Sequence, residues 1–205
     1  MGAVVVEGAK CCGKTTTAEQ AASSVVYVDE EDKTEENILL ARTAPARILD
    51  GNHPRLIDEW QLAPVLWDAI RYRVDRSATP GSYILTGSSV PPDSEEIRHS
   101  GAGRFSWVKM RPMSLWESGD SSGSVSLSSL FAGEKPAGEP SGVDSLEEIA
   151  FLICRGGWPY VSSLKTNAAL SVAFAYVDAI AALAAATDTP TPLRLAAAHA
   201  LSLLD

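Results

Sequence analysis

The sequence predicts an α/β fold: a three-layer sandwich around a mostly parallel five-stranded sheet, followed by a small helical tail. Three observations predict it. Short β-branched runs alternate with segments of helical spacing over residues 3–110, the pattern of a parallel sheet covered on both faces. The first run leads directly into a glycine-rich segment that opens a helix, Gly8-Ala9-Lys10-Cys11-Cys12-Gly13-Lys14-Thr15. A later run ends in two acids, Leu56-Ile57-Asp58-Glu59.

The elements follow in order. Ala3 to Glu7 (AVVVE) is a β-branched run bounded by Gly2 and Gly8 and reads as a buried strand. Thr15 to Ala22 reads as a helix, and Val25 to Val28 as a second strand ahead of the acidic turn Asp29-Glu30-Glu31-Asp32. Glu35 to Ile48 carries a helical pattern that Pro45 interrupts. Arg55 to Asp58 is a third strand, entered through Pro54. Val65, Leu66, Ile70 and Val74 share one helical face. Ser82 to Thr86 is a fourth strand and Phe105 to Met110 a fifth. In such a sheet the strand-to-loop junctions fall on the carboxyl edge, where open α/β sheets bind ligands.

The composition shifts at Ser118. Residues 1–117 read as the α/β core. Residues 118–145, rich in Gly, Ser and Pro, read as a linker. Residues 146–205 read as a helical segment, with Leu146 to Cys154 stopped by Gly156-Gly157 and two Ala/Leu-rich helices split at Thr187-Asp188-Thr189-Pro190. No internal repeat is visible.

A chain of 205 residues suits one large domain, or one domain with part of a second. Its net charge of −9 gives no support for a nucleic-acid partner, which a basic patch would signal. The three cysteines, two of them adjacent, form neither a disulfide framework nor a CxxC zinc site, and point to a reducing cytoplasm. No signal peptide is visible at the N-terminus. Asn167 to Ala186 has almost the length of a membrane span, but it is alanine-rich and carries Asp178 near its centre, so it reads as a packed helix. His53, His99 and His199 show no metal-ligand spacing. Trp60, Trp67, Trp107, Trp116 and Trp158 read as core or boundary residues.

The glycine-rich segment fits GxxxxGK[ST], a pattern that chance produces in about one chain in a hundred of this length. Its position between a strand and a helix adds specificity and gives the sandwich the form of a P-loop NTPase. Gly8 and Gly13 let the backbone curl so that successive N–H groups face phosphate oxygens. The helix N-terminus adds partial positive charge. Lys14 is placed for the β- and γ-phosphates, and the Thr15 hydroxyl for Mg²⁺. The nucleotide-binding set is therefore Gly8, Ala9, Lys10, Cys11, Cys12, Gly13, Lys14, Thr15 and Thr16. Cys11 and Cys12, at a helix N-terminus, are candidates for redox sensitivity.

The acid pair closes a strand at the same sheet edge. Asp58 would hold Mg²⁺, directly or through water, and Glu59 would polarise the attacking water as general base. At the end of the fourth strand, Thr86 and Ser88 of Thr86-Gly87-Ser88-Ser89 are candidates to touch the γ-phosphate or the attacking water. Arg104, in the glycine-flanked Ser100-Gly101-Ala102-Gly103-Arg104, is a candidate arginine finger in cis or from a neighbouring subunit, with Arg111 as competitor.

Together these residues resemble the bacterial and archaeal AAA-like ATPases with a C-terminal domain of unknown function. The stretches that carry the resemblance are GAKCCGKTTTAEQAA, GNHPRLIDEWQLAPVLWDAIRYRVD, GSYILTGSS, HSGAGRFSWVKMRPMSLWE and RGGWPYV, in family order over most of residues 2–160. The resemblance implies binding and hydrolysis of ATP, with counterparts for Lys14, Thr15, Asp58, Glu59, Ser88 and Arg104. Members of that group begin before the first strand and continue past the RGGWP segment, so the chain looks truncated at both ends. The expectation is an ATP- and Mg²⁺-dependent hydrolase, cytoplasmic, acting as a homo-oligomer or on a protein partner. Two alternatives compete: a P-loop kinase of a nucleotide or small metabolite, and a nucleotide-dependent binding switch with negligible turnover.

Overall fold

Five apolar runs become five strands of one sheet: β1 (Ala3–Gly8), β2 (Ser24–Tyr27), β3 (Arg55–Asp58), β4 (Tyr83–Thr86) and β5 (Phe105–Met110). All neighbours pair parallel, in the order β2-β3-β4-β1-β5. The protein is described by a computed structural model covering residues 1–77, 79–87, 101–135, 145–164 and 166–186. It divides into two units, Met1–Arg111 and Pro112–Asp205.

Strand side chains alternate between faces, and the register sorts them into two layers. Val5, Leu85 and Ile57 lie side by side on one face. That face packs under α2 (Thr34–Thr43), α3 (Pro45–Leu49) and α4 (Val65–Arg76), which contribute Ala41, Ile48, Leu49, Leu66, Trp67 and Ile70. Leu56 and Ile84 face the opposite side and pack on Ala18 of α1 (Lys14–Ala21). This is the expected three-layer sandwich. A one-residue slip of β3 would turn Ile57 out of its layer, and each such buried side chain is worth roughly 2 kcal/mol.

The helices have local reasons to start and stop. Pro45 occupies the first position of α3, so α2 ends at Thr43 and the helical pattern divides at the expected interruption. Asp68 lies in the first turn of α4 and Arg73 and Arg76 in its last, which matches the helix dipole. Trp67 of α4 stacks on Phe105, with ring centroids 3.9 Å apart, and on Trp60 at 5.1 Å. Trp60 and Trp67 are core residues, as expected, whereas Trp107 and Trp116 are exposed.

The second unit contains α5 (Leu127–Phe131), α6 (Leu146–Arg155), α7 (Pro159–Ser162) and α8 (Thr166–Ala186). Ser145 and Glu148 form a capping box that starts α6, and Gly156, at φ 71°, ends it. Among the described residues no helix, α8 included, is long and apolar enough to cross a membrane. The split at Thr187–Pro190 lies outside the described residues.

Arg155, at the end of α6, is 4% exposed and is satisfied by Asp120 through contacts of 2.6 and 3.3 Å. Hydrogen bonding from Arg155 holds the Asp120 carboxyl below its ordinary range. A depressed carboxyl value means stability that is present above the unfolded value, about 3.9, and lost as pH falls through the folded one. Arg155→Ala should destabilise the second unit by about 2 kcal/mol, discounted from a fully buried pair because Asp120 is partly exposed. Melting curves followed by circular dichroism should show an acid-dependent loss below about pH 4 that is weaker in the variant. Identical melting of both chains at neutral pH would contradict the assignment.

Candidate functional site

The site is built where β1, β3 and β4 end. After Gly8 the chain turns through a tight loop into α1. A Cβ at Gly8 would run into the Met110 carbonyl oxygen and lie 3.0 Å from the Cys12 sulfur. Gly13 sits at φ 95° and Cys11 at φ 63°, so two left-handed residues curl the loop. The first turn of α1 has no side-chain cap and no acidic residue. Its N–H groups and the partial positive charge they carry are therefore available to an anion. Cys12 is buried against the loop, while Cys11 is exposed.

Lys14 is buried to 7% exposure, and its ammonium donates to the carbonyls of Gly8 at 3.0 Å and Ala9 at 2.9 Å. The cation is thus folded under the loop. The Thr15 hydroxyl, on the first turn of α1, donates to Asp58 Oδ1 at 2.9 Å. The Thr86 hydroxyl donates to the same oxygen.

The strand pleat explains this convergence. Asp58 lies two residues beyond Leu56, and Thr86 two beyond Ile84, so both occupy the face that α1 covers. Asp58 and Thr86 are also direct cross-strand partners. Asp58 is 6% exposed and Thr86 fully buried. An ionised carboxylate only accepts hydrogen bonds, so both hydroxyl protons turn toward it.

Glu59 follows with φ 51°, an uncommon conformation for a non-glycine residue. It turns the chain sharply off the strand into a 3₁₀ turn, Trp60–Leu62. Its carboxylate accepts a hydrogen bond from Gln61. Gln61 was not among the predicted site residues. A turn of three residues has no periodicity by which the sequence could signal it.

The predicted residues separate into two groups. Gly8, Ala9, Lys10, Cys11, Cys12, Gly13, Lys14, Thr15 and Thr16 form the loop and the start of α1, with Asp58, Glu59 and Thr86 at the same edge. Ser88 lies outside the described residues. Arg104 is not brought to this edge. Its carbonyl accepts from the amides of Gly2 and Ala3, which places it at the amino end of β1. The loop lies beyond the other end of that strand, roughly 17 Å away at about 3.3 Å per residue. The Arg104 guanidinium is held there by Asp75 at 2.6 Å, and this bond draws the Asp75 carboxyl below its ordinary range. The expectation of a cis finger at Arg104 is therefore corrected. Met110 pairs with Gly8, so Arg111 is the arginine that leaves β5 at the loop edge, exposed and without an ion pair among the described residues.

The donor set at this edge has a definite chemistry. Among the described residues no three His, Cys, Asp or Glu side chains gather as a metal cage. One hydroxyl and one carboxylate, next to a phosphate-binding loop, fit Mg²⁺, which takes few protein oxygens and completes its shell with phosphate and water.

A search of the curated proteins finds no match to the chain. The family model described as an AAA domain matches residues 1–118. With that match and a parallel α/β sheet carrying its glycine-rich loop after β1, the chain belongs to the AAA-like ATPase family, whose domain is a nucleotide-binding module.

Proposed function

We propose that the chain hydrolyses ATP in a Mg²⁺-dependent reaction at the carboxyl edge of the sheet. The observation that carries this reading is the 2.9 Å bond between Thr15 and Asp58, which joins the phosphate loop to the acid pair across 43 residues. Residues Gly8 to Thr16 would wrap the phosphates. Lys14 would exchange its two neutral carbonyl acceptors for anionic β- and γ-phosphate oxygens, so that its ammonium meets full negative charge. Thr15 and Asp58 would hold Mg²⁺, which when bound neutralises charge on the phosphate oxygens. Thr86 fixes the Asp58 carboxylate through its hydroxyl.

Glu59 takes a proton from water as the water oxygen bonds to the γ-phosphorus and the bond to the ADP oxygen breaks. Ser88, two positions past Thr86, is kept in this proposal as a contact to the γ-phosphate or the water. The adjacent Asp58 and Glu59 favour water as the nucleophile. Phosphate transfer only to an added acceptor would replace this reading with that of a kinase. Arg111 takes the cis arginine role, and Arg104 would serve only the site of a neighbouring copy. The three unbridged cysteines support a reducing, cytoplasmic setting.

Phosphate release by the chain should stop in two distinct ways. Lys14→Ala should weaken ATP binding at least about tenfold, and Glu59→Gln should bind ATP but turn over roughly 10²- to 10⁴-fold more slowly. Equal turnover in all three chains would remove the site assignment. Arg111→Ala should slow turnover by roughly 10³-fold, the low end for arginine fingers. In dilute protein, Arg104→Ala should turn over like the unmodified chain. The reverse ranking would return the finger to Arg104 acting between copies.

A further inference from the structure

We propose that Gln61 is a positioning residue for the Glu59 carboxylate, and that position 87 is glycine to admit it. The inference rests on the hydrolytic reading of Glu59 given above. It begins with the turn that follows β3. Glu59 in its left-handed conformation starts a 3₁₀ turn closed by Leu62 N–H to Glu59 carbonyl at 3.1 Å and Ala63 N–H to Trp60 carbonyl at 2.9 Å. Trp60, 2% exposed, anchors this turn in the core beside Trp67. The turn carries Gln61 back toward Glu59, and the two side chains meet.

The amide can face the carboxylate in only one sense. Glu59, when ionised, accepts and cannot donate, so Gln61 must present its NH₂ group to it. The amide oxygen is then driven the other way, against Gly87 at the end of β4. A Cβ on Gly87 would collide with that oxygen. The oxygen is buried and has no hydrogen-bond partner among the described residues. A buried unpaired acceptor is a standing cost to the fold, and an apolar side chain of the same length would avoid it. Stability alone therefore argues against glutamine at this position. The NH₂ group accounts for it. It fixes one carboxylate oxygen of Glu59, so that the other is left oriented for a water proton. Gln61 also lies against Gly87, the residue that follows β4, the strand whose Thr86 holds Asp58. Base and metal-binding acid are thereby aligned against the same strand end.

The variants that test this keep size and change chemistry. Gln61→Met retains the length and removes the donor. It should lower kcat for ATP hydrolysis roughly 10- to 100-fold, as a misplaced catalytic group does, with the ATP dissociation constant within about twofold and a melting temperature no lower than that of the unmodified chain. Gly87→Ala should lower kcat in the same way by pushing on the amide. In a Gln61→Ala background, the Gly87→Ala change should have no further effect, because its target is gone. Unchanged kcat in Gln61→Met, alongside lost turnover in Glu59→Gln, would overturn the role of Gln61 and leave the hydrolytic site standing. Lost ATP binding or lowered melting in Gln61→Met would make its role structural and also overturn the proposal. A chain that binds ATP and releases no phosphate, or a Glu59→Gln chain with full turnover, would overturn both.

Discussion

One carboxylate oxygen, Asp58 Oδ1, receives the hydroxyls of Thr15 and Thr86, and through it α1, β3 and β4 are held to one another. The constraint behind it is the strand pleat. Leu56 and Ile84 pack against α1 on the same face that presents Asp58 and Thr86 two residues later, so packing and site share one register. A shift that broke the site would also unpack the layer. Buried side chains worth roughly 2 kcal/mol each thus hold functional groups whose own hydrogen bonds contribute less.

That hub also explains why the site gathers at one edge. β1 is an interior strand, between β4 and β5, and its carboxyl end releases the glycine-rich loop into α1. β3 ends at Asp58, two strands away from the loop-bearing strand, and β4 ends in Thr86, one strand away. The loop with Thr15, the acid pair and Thr86 converge from three stretches that are far apart in sequence. Glycine at position 8 is required where β5 presses its Met110 carbonyl against the loop. The left-handed Glu59 is the local conformational cost of turning the chain sharply off β3 into the 3₁₀ turn.

Much of this was legible in the sequence. β3 and β4 are buried almost throughout, and all five strands, short apolar runs bounded by Gly, Pro or acids, were placed within a residue or two. The loop and acid pair were legible because their residue types have few other reasons to stand in that order. The turn at Trp60–Leu62 and the short α7 at Pro159–Ser162 were not legible, since three or four residues cannot display a period. Gln61 was invisible for the same reason. The position of Arg104 was a different matter. It precedes β5, and in a parallel sheet a residue before a strand lies on the edge opposite the loops, so strand direction alone separated it from Arg111. Proximity in sequence to a glycine-rich stretch carried more weight than direction, and the structure reverses that order.

The account stands or falls on Asp58 as a shared anchor for the loop and for Mg²⁺. The most direct measurement is calorimetric titration of ATP with and without Mg²⁺, on the unmodified chain and on Asp58→Asn. The account predicts that Mg²⁺ tightens ATP binding by at least about tenfold in the unmodified chain, and that this gain largely disappears in Asp58→Asn while metal-free binding persists. The same gain from Mg²⁺ in both chains would contradict it.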